Sequence, residues 1–144
     1  MVRVASRDDV EMSTNRATGW AATLSAWTLL VWVGRVRNVL ADDDLDGFDR
    51  TWRLGVAILF VVVAVGILIG LVLGLKNGRV RAATVNLTLG LAAIGSAWWG
   101  FRGTQILVGD WETSFKAVHS LLALGTVFLS VMAWRAGQAE RRIG

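Results

Sequence analysis

Residues 54–75 read LGVAILFVVVAVGILIGLVLGL, 22 positions without a charge, an amide or a hydroxyl. As an α-helix rising 1.5 Å per residue the stretch is about 33 Å long, enough to cross the ~30 Å hydrocarbon layer of a bilayer. Such a run predicts a chain whose solvent is lipid. It decides the fold class, because backbone groups in lipid must be satisfied within each segment and helices do this.

Working outward, three further apolar runs emerge. Residues 20–34, WAATLSAWTLLVWVG, reach span length by extending to about Leu40, with Arg35 and Arg37 snorkelling to the headgroups. Residues 82–101 and 115–134 hold about 20 residues each, the length a span needs. The expected fold is all-α: an integral membrane four-helix bundle of two sequential helical hairpins, with spans at about 20–40, 54–75, 82–101 and 115–134. Residues 19–137 form that unit, and 1–18 and 138–144 are expected as cytoplasmic tails. A hydrophobic content of 54% and a mean hydropathy of +0.53 agree with a polytopic membrane protein.

The net charge of +4 would suggest nucleic acid in a soluble protein. Here the basic residues flank apolar runs, so they read as topology signals and no nucleic-acid partner is expected. Nine Lys and Arg residues fall in the N-terminal tail, the 76–81 loop and the C-terminal tail. Six fall on the other side: Arg35, Arg37, Arg50, Arg53, Arg102 and Lys116. The asymmetry places both termini in the cytoplasm. Seven of the eleven acidic residues fall outside, so that face is expected to be acidic. The absence of cysteine excludes disulfides, thiolate metal sites and lipidated thiols. The single histidine, His119, excludes a haem held by two histidines of one chain.

Tryptophans gather at the outer ends of the spans: Trp32, Trp52, Trp98, Trp99 and Trp111, beside Phe48, Phe101 and Phe115. They read as an interfacial belt, or as an aromatic pocket for a lipid, quinone or pigment tail. Gly66, Gly70, Gly74 and Gly78 recur every four residues and line one face of the second helix; Ala92, Ser96 and Gly100 repeat the stripe on the third. Small residues let helix backbones approach closely, either within the bundle or in a homo-oligomer or larger membrane complex.

Chemistry-bearing residues are few. His119, about one turn inside the fourth span, is a candidate axial haem ligand or proton carrier, or a neutral imidazole bonded to a serine or carbonyl of a neighbouring helix. Asp42, Asp44 and Asp46, followed by Gly47, open like a calcium loop, but Arg50 and Arg53 stand where its ninth and twelfth positions fall. Asn86, Thr88 and His119 are ligand or pore candidates, with Trp98 and Trp99 beside them. No nucleophile–base pair or phosphate loop occurs, so no catalysis is expected.

Asn86-Leu87-Thr88-Leu89-Gly90, followed by Ser96-Ala97-Trp98-Trp99-Gly100-Phe101, resembles the SPW-repeat family of small prokaryotic membrane proteins, with Ala97 in place of the signature proline. The resemblance covers residues 83–137. It implies a four-helix protein of two hairpins and carries over no functional residue. Three functions fit these features. The first is a non-catalytic scaffold or accessory subunit acting through helix contacts. The second is a small oligomeric channel or transporter, and the third a haem- or quinone-binding subunit.

Overall fold

A computed structural model describes residues 7–78 and 80–143, with side chains at 12, 14–78 and 80–139. Residues 1–6 of the expected N-terminal tail, Arg79 and Gly144 lie outside the described residues, as do the side chains of Arg7, Arg141 and Arg142. Among the described residues the fold is all-α. Four helices follow in order: α1 (Arg7–Leu40), α2 (Gly47–Lys76), α3 (Ala82–Val108) and α4 (Thr113–Ile143).

Each expected span falls inside one helix, but the helices are longer than the spans. The expected tails are helical: α1 runs from Arg7 and α4 reaches Ile143. No proline or cap interrupts either end, and the extensions find partners. Ala17 is buried beside Ala21, Leu71 and Val85, and Gly137 packs on Leu89. Two segments, Gly47–Lys76 and Thr113–Ala139, are long and apolar enough to cross a membrane. The other two helices carry more Thr and Trp.

Packing follows from the short connections. α1 lies against α2 and α3 against α4, the two hairpins meet along α1 and α4, and α2 touches α3 most sparsely. Asp46 starts α2 by accepting a hydrogen bond from the Asp49 amide at 2.7 Å. Gly78 ends the same helix at φ +67°, a left-handed conformation that favours glycine. It therefore stands outside α2, and the expected four-member glycine face has three members. Gly70 lies so close to Thr84 of α3 that a Cβ there would collide with it, and Gly74 is buried. On α3 Ala92 is buried and Ser96 half-buried, whereas Gly66 and Gly100 face open space.

The core is mostly small and aliphatic, with Leu24, Ala57, Ala64, Ile67 and Ala92 almost wholly buried. Three of its threonine hydroxyls stay inside by bonding their own helix. Thr28 donates to the Leu24 carbonyl at 2.8 Å, Thr88 to Thr84 at 2.9 Å and Thr126 to Leu122 at 2.8 Å. Ser25 and Ser130 are buried with no hydrogen-bond partner for Oγ.

Candidate functional site

At the end of the bundle that carries the 41–46 and 109–112 loops, the helices part around a cavity of about 680 Å³. That volume falls in the ~300–1,000 Å³ range of small-molecule pockets. All four helices supply its wall: Trp32 and Arg35 from α1, Trp52 and Arg53 from α2, Trp98, Trp99 and Arg102 from α3, and Phe115 and His119 from α4.

Stacked aromatics hold this end apart. Trp32 lies flat on Phe60 with ring centroids 4.2 Å apart and planes at 6°. Trp98 closes the group from α3, 5.9 Å from Trp32 and 6.3 Å from Phe60. Offset and edge contacts of this kind add about 0.5–1.5 kcal/mol per pair beyond area burial. The expected interfacial belt therefore divides. Trp32 and Trp99 are core residues lining the cavity; Trp52 and Phe101 line it but are exposed, and Phe48 and Trp111 are exposed away from it.

The polar side of the wall is cationic. Arg35 is half-buried, with Arg53 and Arg102 near enough to repel it and Asp42 near enough to attract it. Arg53 is paired with Asp49 at 2.9 Å, one turn before it on α2. Arg102 donates to Gln105 Oε1 at 3.0 Å, a neutral partner. No described residue accepts a hydrogen bond from Arg35, and Asp49 is the only carboxylate on the wall. Arg35 and Arg37 divide between the cavity and the surface. Two residues apart on a helix they point about 200° from each other, so Arg35 lines the cavity while Arg37 is exposed.

His119 stacks on Phe115 at 3.9 Å, and Phe115 on Trp111 at 4.9 Å. The expected partner on a neighbouring helix is corrected: Nδ1 of His119 is 2.9 Å from the carbonyl of Phe115, one turn back on α4. A carbonyl can only accept, so Nδ1 carries the proton and Nε2 is the acceptor of the neutral ring. His119, Trp98 and Trp99 thus share one cavity. Asn86 and Thr88 do not join them. Asn86 is exposed and Thr88 buried near the opposite end, where Gly137 meets Leu89 and Val85. His119 stands five turns from Gly137 along α4, about 27 Å at 1.5 Å per residue.

The aspartates of the 42–46 loop are employed singly. Asp46 caps α2, Asp42 Oδ1 accepts from the Asp44 amide at 3.3 Å, and the Asp42 carbonyl accepts from Arg50 at 2.6 Å. Among the described residues no three His, Asp or Glu side chains converge to hold a metal ion.

The sequence presents Arg35, Arg53 and Arg102 only as charge, and Trp32 as belt or pocket without telling which. A usable signal is three arginines at the same end of three different helices. Comparison with protein-family models, curated proteins and solved structures finds no match to this chain.

Proposed function

We propose that the chain is a small polytopic membrane protein, its four helices spanning the bilayer with both termini cytoplasmic, which holds an amphipathic ligand in the outward cavity and performs no catalysis. The observation that carries this reading is the convergence of all four helices on one cavity whose wall is aromatic on one side and guanidinium on the other. A ligand with an apolar body and a polar head fits such a wall.

Several features support lipid as the surroundings. The most apolar windows of α2 and α4 are only 28% and 17% buried. Ile58, Leu59 and Val62 on α2, and Leu121 and Leu124 on α4, are exposed. Apolar faces of that extent are costly in water, at about 25 cal/mol per Å². The i−4 hydrogen bonds of Thr23, Thr28, Thr88 and Thr126 satisfy these hydroxyls within their own helices, which suits an apolar medium. The glycine stripe that suggests a contact scaffold is taken up within the chain at Gly70 and Gly74, which favours the cavity as the working surface. The SPW-repeat resemblance adds the same two-hairpin expectation.

The test is tryptophan fluorescence in lipid nanodiscs titrated with a neutral brominated amphiphile, 12-bromododecanol. Saturable quenching is expected. Gly34 lines the cavity with open space at its Cβ position, so Gly34→Leu fills the site without a collision and removes the saturable part. Linear quenching, identical in both proteins, would reduce the signal to bilayer partitioning and end the proposal. A second reading, a haem- or quinone-binding subunit, draws on the His119 Nε2 at the same wall; a visible or quinone absorbance band in the purified protein would favour it.

A further inference from the structure

The cavity wall carries more cations than carboxylates, although Asp42, off the wall, attracts Arg35 without accepting a hydrogen bond from it. Three guanidiniums, Arg35, Arg53 and Arg102, face one carboxylate, Asp49, and that carboxylate is already paired with Arg53. Arg102 has only the amide oxygen of Gln105, and Arg35 has no described acceptor. Guanidinium groups form short, charge-assisted and frequently bidentate hydrogen bonds with oxyanions, and a half-buried guanidinium left without one has lost part of its hydration for nothing. The indoles of Trp98 and Trp99 stand on the same wall, so the cationic region and the apolar region belong to one volume.

Resting on the reading of this cavity as a ligand site, we infer that its occupant is an amphiphile with an oxyanion head, phosphate or carboxylate. Arg35 is the principal anchor of that head and Arg102 the second. The alkyl or ring portion lies against the Trp32–Trp98 side. Asp49 withholds Arg53 from the head, so the site presents two guanidiniums, Arg35 and Arg102, with no carboxylate hydrogen-bonded to them. A cationic amphiphile is excluded by the same charges.

The experiment compares heads on one tail: dodecyl phosphate, dodecanoate, dodecanol and dodecyltrimethylammonium, each competing with 12-bromododecanol in the nanodisc titration. The two oxyanions are expected to bind at least tenfold more tightly than dodecanol, and the ammonium more weakly than dodecanol. Arg35→Gln reduces the oxyanion preference to about threefold or less while dodecanol binding is unchanged. Arg102→Gln, at an exposed residue whose loss the fold tolerates, reduces it by a smaller factor. Lys116→Gln, outside the cavity, leaves it intact. Equal binding of dodecanol and dodecyl phosphate would overturn the oxyanion assignment and leave the ligand site standing. Absence of saturable quenching for every probe would overturn both. Inorganic phosphate serves as the remaining arm. Displacement of dodecyl phosphate by millimolar phosphate alone identifies a free aqueous anion as the source, and no displacement identifies a lipid-borne head.

Discussion

At one end of the bundle, near the 77–81 turn, Gly70 sits against Thr84 and Gly137 against Leu89, and the helices close to a void of about 20 Å³. At the other end Trp32, Phe60 and Trp98 stack across three helices, and the same four rods surround about 680 Å³. Helix separation follows the volume of the side chains at the contact. Glycine, alanine and threonine bring backbones together; three aromatic rings wedged between α1, α2 and α3 push them apart. The cavity is a consequence of where the large residues fall along helices that touch elsewhere.

Removing the wedge has the largest effect. Trp32→Ala deletes a ring that is 5% exposed and stacked on Phe60, and is expected to cost about 3–5 kcal/mol. Thermal unfolding in detergent measures it, and a melting temperature within error of the parent would mean the rings do not hold the loop end together. At the closed end, Gly70→Leu drives a side chain into Thr84 and is expected to cost about 1–3 kcal/mol, with the oligomeric size in detergent unchanged. A changed size with an unchanged melt would move Gly70 to a face between subunits.

Between the two ends, Trp27 donates from Nε1 to Thr126 Oγ1 at 2.9 Å and lies close against Gly125. Trp27→Phe removes the donor and part of the ring, for an expected loss of about 1 kcal/mol in the same melt. The smallest effect belongs to Asp49→Asn. Its pair with Arg53 is 39% and 47% exposed at the two side chains, so stability should change by no more than about 0.5 kcal/mol. Freed from its carboxylate, Arg53 joins Arg35 and Arg102, and dodecyl phosphate should bind several-fold more tightly.

The helices were legible because periodicity was not needed: long runs without charge, separated by short polar connections, leave one solution in an all-helical chain. Their ends were less so. The helix extends through 7–18 because Ala17 and Ala21 find Leu71 and Val85, a contact between helices distant in sequence. Gly78 shares the four-residue spacing of Gly70 and Gly74, yet it terminates the helix, and spacing alone does not separate a face from a cap. His119, Trp98 and Trp99 were legible as candidates because histidine and paired indoles are conspicuous in apolar segments. Arg35 was legible only as charge, and Trp32 as belt or pocket alike. A basic or aromatic residue at a span end serves equally as an anchor in the interface or as a wall of a cavity. The choice depends on its angular position relative to three other helices.

The chain has no cysteine, so single introduced thiols report sidedness directly. Asn38 is exposed on the cavity wall and Asn77 is exposed at the opposite turn. With a membrane-impermeant maleimide on intact cells, Asn38→Cys is expected to react at once and Asn77→Cys only after permeabilisation. In reconstituted vesicles dodecyl phosphate should slow labelling of Asn38→Cys. Reaction of both thiols before permeabilisation, or labelling of Asn38→Cys that the amphiphile leaves untouched, would contradict an outward-facing ligand cavity at one end of a membrane-spanning bundle.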